Sequence, residues 1–399
     1  MGMTTRGLAA LATGPAFALI VLAPAADWPR PGEPRPLAEQ ADPVVQRVDA
    51  GGFPLEERRV QGIPGMSEPE RDGDRVAEVA AADGPLAAPG RPGCVSGPAK
   101  AYTSGDGGAT APVAVRQAGG RQIPVANAKG LTAALASARP GDTIELADGR
   151  YPGKFVLAKA GTAASPITVV GSCRAVLDGG TGGSGYTMHL DGADYARLVG
   201  FTVSGGDKAV MTDRTNRAVL SHLTVGNTGS EAVHFLNFSS DNVVQHSLVH
   251  DTGKTKPQFG EGVYFGSAKS NWASKSGGRP DLSNNNRALY NQFRSTTAEN
   301  IDVKEETSGG VIAGNVFDGS AISGQNSADS VVDVKGVRYQ VMNNRTSGRS
   351  SALKDLIQTH VITQPATSGC HNTFAGNTFI GGGFVGQAVA QDKKCGTNE

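Results

Sequence analysis

The sequence predicts an all-β solenoid, a parallel β-helix, on three observations. Short strands recur: residues 299–305 and 329–336 both alternate apolar and polar positions with period two. From Phe201 to Leu223 to Leu248 the step is roughly 22 to 25 residues, which is about one coil of such a helix. The 399 residues include 55 Gly and only 6% aromatic residues, which suits coils and turns better than a packed α/β enzyme.

Residues 1–26 are predicted to be a signal peptide for export. Arg6 is followed by an apolar stretch over residues 8–22, and small residues at 23–26 form a cleavage site. The next segment, 27–111, is rich in Pro, Gly and Ala without apolar periodicity, so we expect a disordered linker or pro-segment. The β-helix domain is predicted to span 112–399.

This domain is expected to begin with a short N-terminal capping helix. A helical pattern over residues 130–138 ends at Pro140 and Gly141, and a strand follows over 143–146. A stack of coils exposes its first apolar layer, which an amphipathic helix covers. Asn residues mark the later corners, where Asn tolerates left-handed backbone and can form hydrogen-bonded ladders with the Asn above it.

Four cysteines, Cys94, Cys173, Cys370 and Cys395, lack the close spacing of zinc ligands. In an exported chain an even number favours two disulfides. A Cys370–Cys395 bond would fasten the C-terminal end, and a Cys94–Cys173 bond would join the linker to an early coil. Four cysteines allow three pairings, and the sequence does not choose among them.

Alignment of the repeats places outward side chains of successive coils in columns about 4.8 Å apart. One column reads His189, Met211, His234, Tyr264, Asp302, Asp333 and Gln358, and the next reads Asp191, Asp213, Leu236, Gly266, Lys304, Lys335 and His360.

The two stacked lysines are the first candidates for chemistry. The ammonium groups of Lys304 and Lys335 should repel each other, and this repulsion should lower the pKa of one of the two lysines. A lysine that acts as a base near neutral pH requires such a lowered pKa, although the carboxylates of Asp302 and Asp333 oppose the shift. Cations, carboxylates, His and Tyr along one groove suit an acidic polysaccharide. The alternative is that these residues form only cross-strand ion pairs.

Two stretches carry a resemblance to known proteins. The capping helix followed by RPGDTIELADGRY resembles the start of pectate-lyase-like right-handed parallel β-helix proteins, over roughly residues 117–382. ENIDVKE, with VDVKGVRYQVMNN one coil later, resembles the chondroitinase B and alginate lyase family of polysaccharide lyases. The resemblance implies that Lys304 is the base that removes the C5 proton of a uronic acid. It places Lys335 where the family usually has Arg, and implies a Ca²⁺ held by Glu299, with Glu261 as a second ligand.

An insertion over residues 254–285 interrupts the coil period and is predicted to build part of the binding face. Trp272 and Tyr264 could stack on sugar rings, and His234, Asp302, Asp333 and His360 complete the predicted substrate-binding set. The alternative is a solvated loop.

The functional hypothesis is a secreted lyase that cleaves a uronic-acid polysaccharide by β-elimination. The alternatives are a non-catalytic carbohydrate-binding or adhesion β-helix and a glycoside hydrolase of the same fold, for which Asp302 and Asp333 could be the paired carboxylates. With 37 basic and 37 acidic residues, no net charge favours nucleic acid or a membrane surface. We expect a monomer whose partner is an acidic polysaccharide.

Overall fold

The computed structural model describes residues 119–181, 183–362 and 368–395. The predicted signal peptide 1–26, the linker 27–111 and Cys94 lie outside the described residues.

The described chain is built almost entirely from short strands. In chain order the elements are β1 (Gln122–Val125), α1 (Ala128–Ala136), β2 (Thr143–Leu146), β3 (Gly149–Pro152), β4 (Phe155–Leu157), β5 (Ile167–Gly171), β6 (Ala175–Asp178), β7 (Tyr186–Asp191), β8 (Ala196–Val199), β9 (Thr202–Ser204), β10 (Lys208–Asp213), β11 (Val219–Ser221), β12 (Thr224–Gly226), β13 (Val233–Leu236), β14 (Val243–Gln245), β15 (Leu248–His250), β16 (Val263–Phe265), α2 (Trp272–Lys275), β17 (Arg287–Leu289), β18 (Gln292–Arg294), β19 (Ile301–Val303), β20 (Val311–Ala313), β21 (Val316–Gly319), β22 (Ser330–Val334), β23 (Gln340–Met342), β24 (Arg345–Arg349), β25 (Asp355–Thr359), β26 (Thr373–Ala375), β27 (Thr378–Phe379) and β28 (Val389–Ala390).

These strands form three parallel sheets, and the predicted right-handed parallel β-helix is confirmed. One sheet has the order β1-β2-β5-β8-β11-β14-β17-β20-β23-β26, the second β28-β25-β22-β19-β16-β13-β10-β7-β4, and the third β27-β24-β21-β18-β15-β12-β9-β6-β3. Each full coil contributes one strand to each sheet. We call the second one the site sheet, because the candidate residues lie on it.

The predicted capping helix is present as α1. It starts two residues earlier than expected because Asn127 caps it, accepting a 2.9 Å hydrogen bond from the Gly130 N–H. Leu131, Ala134 and Leu135 face the core and cover the first coils. Strand β2 has the predicted bounds.

The interior of the helix is a continuous apolar stack. On the site sheet Val210, Val233, Val263, Ile301 and Val332 pair in register on successive coils and are fully buried. Burial of one such side chain contributes about 1.5 to 3 kcal/mol relative to exposure. Repetition of an aliphatic residue at this position on successive coils therefore helps to hold the stack together.

Asn residues form a ladder at one corner, and other Asn residues, such as Asn237, Asn285 and Asn343, have the left-handed backbone that the sequence predicted. The side-chain amides of the buried Asn291, Asn315 and Asn344 and of the half-buried Asn377 hydrogen-bond in sequence at 2.9 to 3.1 Å. The positive φ angles fall one residue earlier, at Tyr290, Gly314, Asn343 and Gly376. Two adjacent residues therefore form each corner. The first has left-handed backbone and turns the chain, and the second points its amide inward to the ladder.

A disulfide joins Cys370 to Cys395, one of the pairings the sequence allowed. Cys173 is also disulfide-bonded. Among the described residues, no helix combines the length and apolar character needed to cross a bilayer.

The ladder makes a testable contribution to stability. Asn315→Ala removes the amide that donates to Ala288 O and accepts from Asn291 N, both at 2.9 Å. Because buried partners would be left unsatisfied, we expect a loss of about 2 to 4 kcal/mol in the free energy of unfolding. Chemical denaturation followed by circular dichroism measures it. The exposed Gln325→Ala is the matched control, expected to change stability by less than about 0.5 kcal/mol; equal effects of the two variants would contradict a stabilising ladder.

Candidate active site

The predicted columns are present on the site sheet. Pairing in register places Met211 beside His189 and His234, Tyr264 beside His234 and Asp302, and Asp333 beside Asp302 and Gln358. The second column is formed in the same way. Asp213 pairs with Asp191 on one side and with Leu236 on the other. Further along, the backbone N–H groups of Lys304, Lys335 and His360 each donate a hydrogen bond to the preceding coil. Side chains up to 171 residues apart in sequence therefore share one face of the helix.

Lys304 and Lys335 meet over Asp302. Lys304 Nζ lies 2.5 Å from Asp302 Oδ2, and Lys335 Nζ lies 3.3 Å from Asp302 Oδ1 and also donates to Asp333. The two lysine side chains are only 13% and 17% exposed. They point away from the apolar interior, as expected from the alternation, but they lie low over the sheet among carboxylates instead of extending into solvent.

The expectation that one lysine has a lowered pKa is wrong for this arrangement. Burial does lower the pKa of Lys304, but the negative charges of Asp302 and Asp333 outweigh burial and raise it well above its ordinary value. The pKa of Lys335 is raised for the same combination of reasons. Attraction from two carboxylates exceeds the repulsion between two ammonium groups, so both lysines are charged.

Three buried carboxylates lie beside this pair. Oxygen atoms of Glu261, Glu299 and Asp302 are all within 4.8 Å of one another. Burial raises the pKa of Glu261 well above its ordinary value and that of Glu299 to about 8, and the neighbouring carboxylates add to both shifts. Glu261 Oε2 is buried and has no hydrogen-bond partner among the described residues. If all three carboxylates were ionised, the triad would carry more negative charge than its surroundings balance, so the two glutamates are held as protonated acids.

The donor set of this triad suits Ca²⁺, which prefers carboxylate oxygens. Glu261 and Glu299 are the residues predicted for a metal, and the structure adds Asp302, which the sequence had suggested for substrate binding or for the hydrolase alternative. An unpartnered buried oxygen is costly unless a proton or a cation reaches it.

Glu231 is a residue that the sequence reasoning missed. It lies one coil before Glu261, accepts from Lys208, and has Oε1 3.2 Å from His234 Nδ1. Its pKa is lowered despite burial, because His234 and Lys208 stabilise the carboxylate. A signal was present: Glu231-Ala-Val, Glu261-Gly-Val and Glu299-Asn-Ile repeat one pattern at the start of three strands.

His234 and Tyr264 form the floor of the site. His234 Nε2 donates to Gly266 O at 2.7 Å, and its ring lies 4.3 Å from the Tyr264 ring. Lys304 Nζ lies 4.8 Å from the centre of the Tyr264 ring. Burial raises the pKa of the Tyr264 phenol well above its ordinary value, and nearby carboxylates reinforce the shift. Both aromatic residues are largely buried, so the predicted stacking of Tyr264 on a sugar face is replaced by contacts with His234 and Lys304.

Gly266 keeps this floor open beside Lys304. Its φ of +79° is left-handed, and a Cβ there would meet Thr307 Cγ2 at 2.4 Å. Its place in the lysine column therefore requires glycine.

His360 lies at the more exposed end of the lysine column. Its Nδ1 is 2.8 Å from Asp333 Oδ1, and its side chain is 46% exposed. The hydrogen bond with Asp333 raises the pKa of His360 although burial lowers it. Asp333 is itself held ionised, since Lys335 and His360 lower its pKa against the effect of burial. With Nδ1 committed, Nε2 is the ring nitrogen left for a ligand.

Trp272 does not form a sugar platform, and that prediction is corrected. The indole is only 8% exposed and its Nε1 donates to Ser267 O at 2.9 Å. The insertion that carries it is fixed by Asp281, whose carboxylate accepts from the Asn237 and Phe238 amides. The ring packs the insertion against the β-helix because its apolar area gains more from burial than from exposure to solvent.

Comparison with known proteins finds similarity in structure to polysaccharide lyases. No family model matches the sequence, and no curated protein matches it. The structure is similar to the crystal structure of an alginate lyase from Paenibacillus sp. str. FPU-7, with 33% identity and a TM-score of 0.63, over 68% of this chain and 98% of that one. It is also similar to a pectate lyase, with 16% identity and a TM-score of 0.49, over 68% of this chain and 77% of that one.

The buried triad predicts an unusual pH dependence of stability. The pKa of Glu299 rises from an ordinary value of 4.5 to about 8 in the folded chain. The folded state therefore binds this proton more tightly, and the stabilisation is complete below about pH 4.5 and is lost as the pH rises through about 8. With EDTA present, we expect the melting temperature to decrease as the pH is raised from about 5 to 8. The decrease should be smaller in Glu299→Gln, and differential scanning fluorimetry measures both.

His360 also has a raised pKa, so it also makes the protein less stable as the pH rises. Because His360 is present in both proteins, its contribution to the pH dependence cancels when Glu299→Gln is compared with the unaltered protein. Ca²⁺ added at the higher pH should raise the melting temperature of the unaltered protein more than that of Glu299→Gln. Identical pH profiles for the two proteins would show that Glu299 is not a buried titrating group.

Proposed function

Since this chain belongs to the right-handed parallel β-helix polysaccharide lyases, we propose that it cleaves alginate, a polymer of uronic acids, by β-elimination. The name of the Paenibacillus relative suggests the substrate. The observation that carries the proposal is the stacking of Lys304 and Lys335 beside Tyr264 and the carboxylate triad on one face.

The reaction needs a base, an acid and a means to stabilise negative charge. The base removes the C5 proton of a uronate, and the electron pair left on C5 forms the C4=C5 double bond. The C4–O bond to the neighbouring sugar breaks, and the departing oxygen takes a proton from the acid. Charge that develops on the uronate carboxylate must be stabilised for the C5 proton to become acidic.

Lys304 is assigned as the base, and Lys335 as the group that stabilises charge. Both ammonium groups lie on the outward face, where an anionic polymer would be attracted to them. Lys335 is held charged by Asp302 and Asp333, which suits a point charge facing a carboxylate. Asp302 holds Lys304 as an ammonium as well, so the neutral amine forms only when the influence of Asp302 is weakened.

Ca²⁺ is part of the proposal, with Glu261, Glu299 and Asp302 as its ligands. Bound there, the ion would neutralise the triad and weaken the hold of Asp302 on Lys304.

Tyr264 is assigned as the acid. Its raised pKa keeps the phenol protonated, so the hydroxyl carries a proton for the departing oxygen. The ring lies against Lys304, and this proximity supports the proposal that acid and base act on the same side of the sugar. His360 and Asp333 are assigned to substrate binding. The hydrolase alternative would use Asp302 and Asp333 as its paired carboxylates, but both already form ion pairs with lysines. The signal peptide predicted for residues 1–26 supports the proposal that this activity is extracellular.

The first test of function is the loss of Lys304. Lys304→Gln keeps a polar side chain beside Asp302 but removes the amine, so we expect turnover of alginate to fall at least about 10³-fold. The measurement is the ultraviolet absorbance of the unsaturated uronate product, on alginate, pectate, chondroitin, hyaluronan and glucuronan. The exposed Lys129→Gln on α1 is the matched control and should retain full activity. A Lys304→Gln variant that is folded and fully active would exclude Lys304 as the base.

The second test addresses Tyr264. Tyr264→Phe keeps the ring that contacts His234 and Lys304, but removes the proton donor. We expect kcat to fall by about 10² to 10⁴-fold with little change in melting temperature. Steady-state kinetics on alginate measure this, and an unchanged kcat would assign Tyr264 to packing alone.

A further inference from the structure

A cavity of about 280 Å³ opens at the C-terminal end of the lysine column. Its lining includes Gln358 and His360 from the strand β25 coil, and Ala390 and Lys393 from the last described coil. Pockets for drug-sized ligands measure about 300 to 1,000 Å³. This cavity is therefore of a size for one small ring and not for a long oligomer.

The cavity exists because the column ends in a small residue. Gln358 pairs with Ala390, so Ala390 occupies the next position in the column of His234, Tyr264, Asp302 and Asp333. A methyl group where earlier coils carry large side chains leaves a hollow above Gln358.

The wall of the cavity is fixed by several bonds. Asp392 N donates to Thr359 Oγ1, and Asp392 Oδ2 accepts from Val361 N, both at 2.9 Å. The other carboxylate oxygen accepts from Lys394 N at 3.0 Å, and the Cys370–Cys395 disulfide fastens the end of this segment. Because backbone amides occupy both oxygens of Asp392, its carboxylate is committed to holding the turn.

The remaining groups around the hollow suit an acidic sugar. Lys393 is exposed, and within the described chain no ion pair engages its ammonium group. His360 binds Asp333 through Nδ1, which leaves Nε2 for a ligand, and Gln358 is anchored to Asp355 through Nε2 at 3.1 Å. A cation and two hydrogen-bonding side chains match a ring with one carboxylate and several hydroxyls.

We propose that this cavity is a subsite for one uronate unit of the polymer whose cleavage takes place at Lys304, with Lys393 binding the carboxylate of that unit. His360 and Gln358 bind its hydroxyls. The inference rests on the proposed function, which it deepens by giving the bound polymer a direction along the helix axis. The cavity lies two to three coils from Lys304, or about 10 to 14 Å at ~4.8 Å per coil, so only an oligosaccharide of several units spans both.

The test compares Lys393→Gln with Lys394→Gln, its exposed neighbour outside the cavity lining. For a mannuronate hexasaccharide, we expect Lys393→Gln to raise KM about tenfold with kcat unchanged, and to leave KM for a trisaccharide unchanged. Lys394→Gln should match the unaltered protein. Ala390→Trp, which fills the hollow, should raise KM for the hexasaccharide as Lys393→Gln does.

Calorimetric titration with saturated tetramannuronate separates this inference from the proposed activity. Weaker binding in Lys393→Gln than in Lys394→Gln supports the subsite even if no polymer is cleaved. A failure to cleave polymer would contradict the lyase assignment but not the subsite. Equal KM values and equal affinities in the two variants would overturn the subsite, whether or not the protein is a lyase. The same conclusion follows if no tetramannuronate binds.

Discussion

Successive coils pair in register, so that each residue of a strand lies about 4.8 Å from its counterpart on the next coil. A column of side chains on the outer face is an inevitable result of this pairing. The same hydrogen bonds that stack Val263, Ile301 and Val332 inside also stack Tyr264, Asp302 and Asp333 outside. Stability and the candidate site thus depend on one constraint, the constant register of the parallel ladder.

Stacking of charged groups at this distance has electrostatic consequences. Two ammonium groups or two carboxylates so close together repel, and burial strengthens every such interaction. Here the lysines are stabilised because Asp302 lies between them and interacts with both. The carboxylates Glu261 and Glu299 have no comparable partner, and their raised pKa values record that imbalance. Charge is balanced at one end of the cluster and in excess at the other, which is where a cation or protons would be taken up.

The insertion that contains Trp272 shows how far sequence patterns extend. An interruption of the coil period correctly located a loop near the site, but an aromatic residue in a loop can face either the solvent or the protein. The outcome depended on Asp281, 9 positions further along the chain, which fixes the loop against the Asn237 corner. No local pattern contains that information, because the contact joins two coils.

By itself, the sequence determined which residues share a column, because alternation with period two and a regular coil length are local properties that fix register. It also predicted the capping helix and most of the side chains that meet on the site sheet, although it missed Glu231 and wrongly included Trp272. Only the tertiary structure decided how deeply those side chains are buried and in which charge state they are held. These properties depend on distances between coils and on the balance of desolvation against Coulomb attraction, as the raised pKa of Lys304 illustrates.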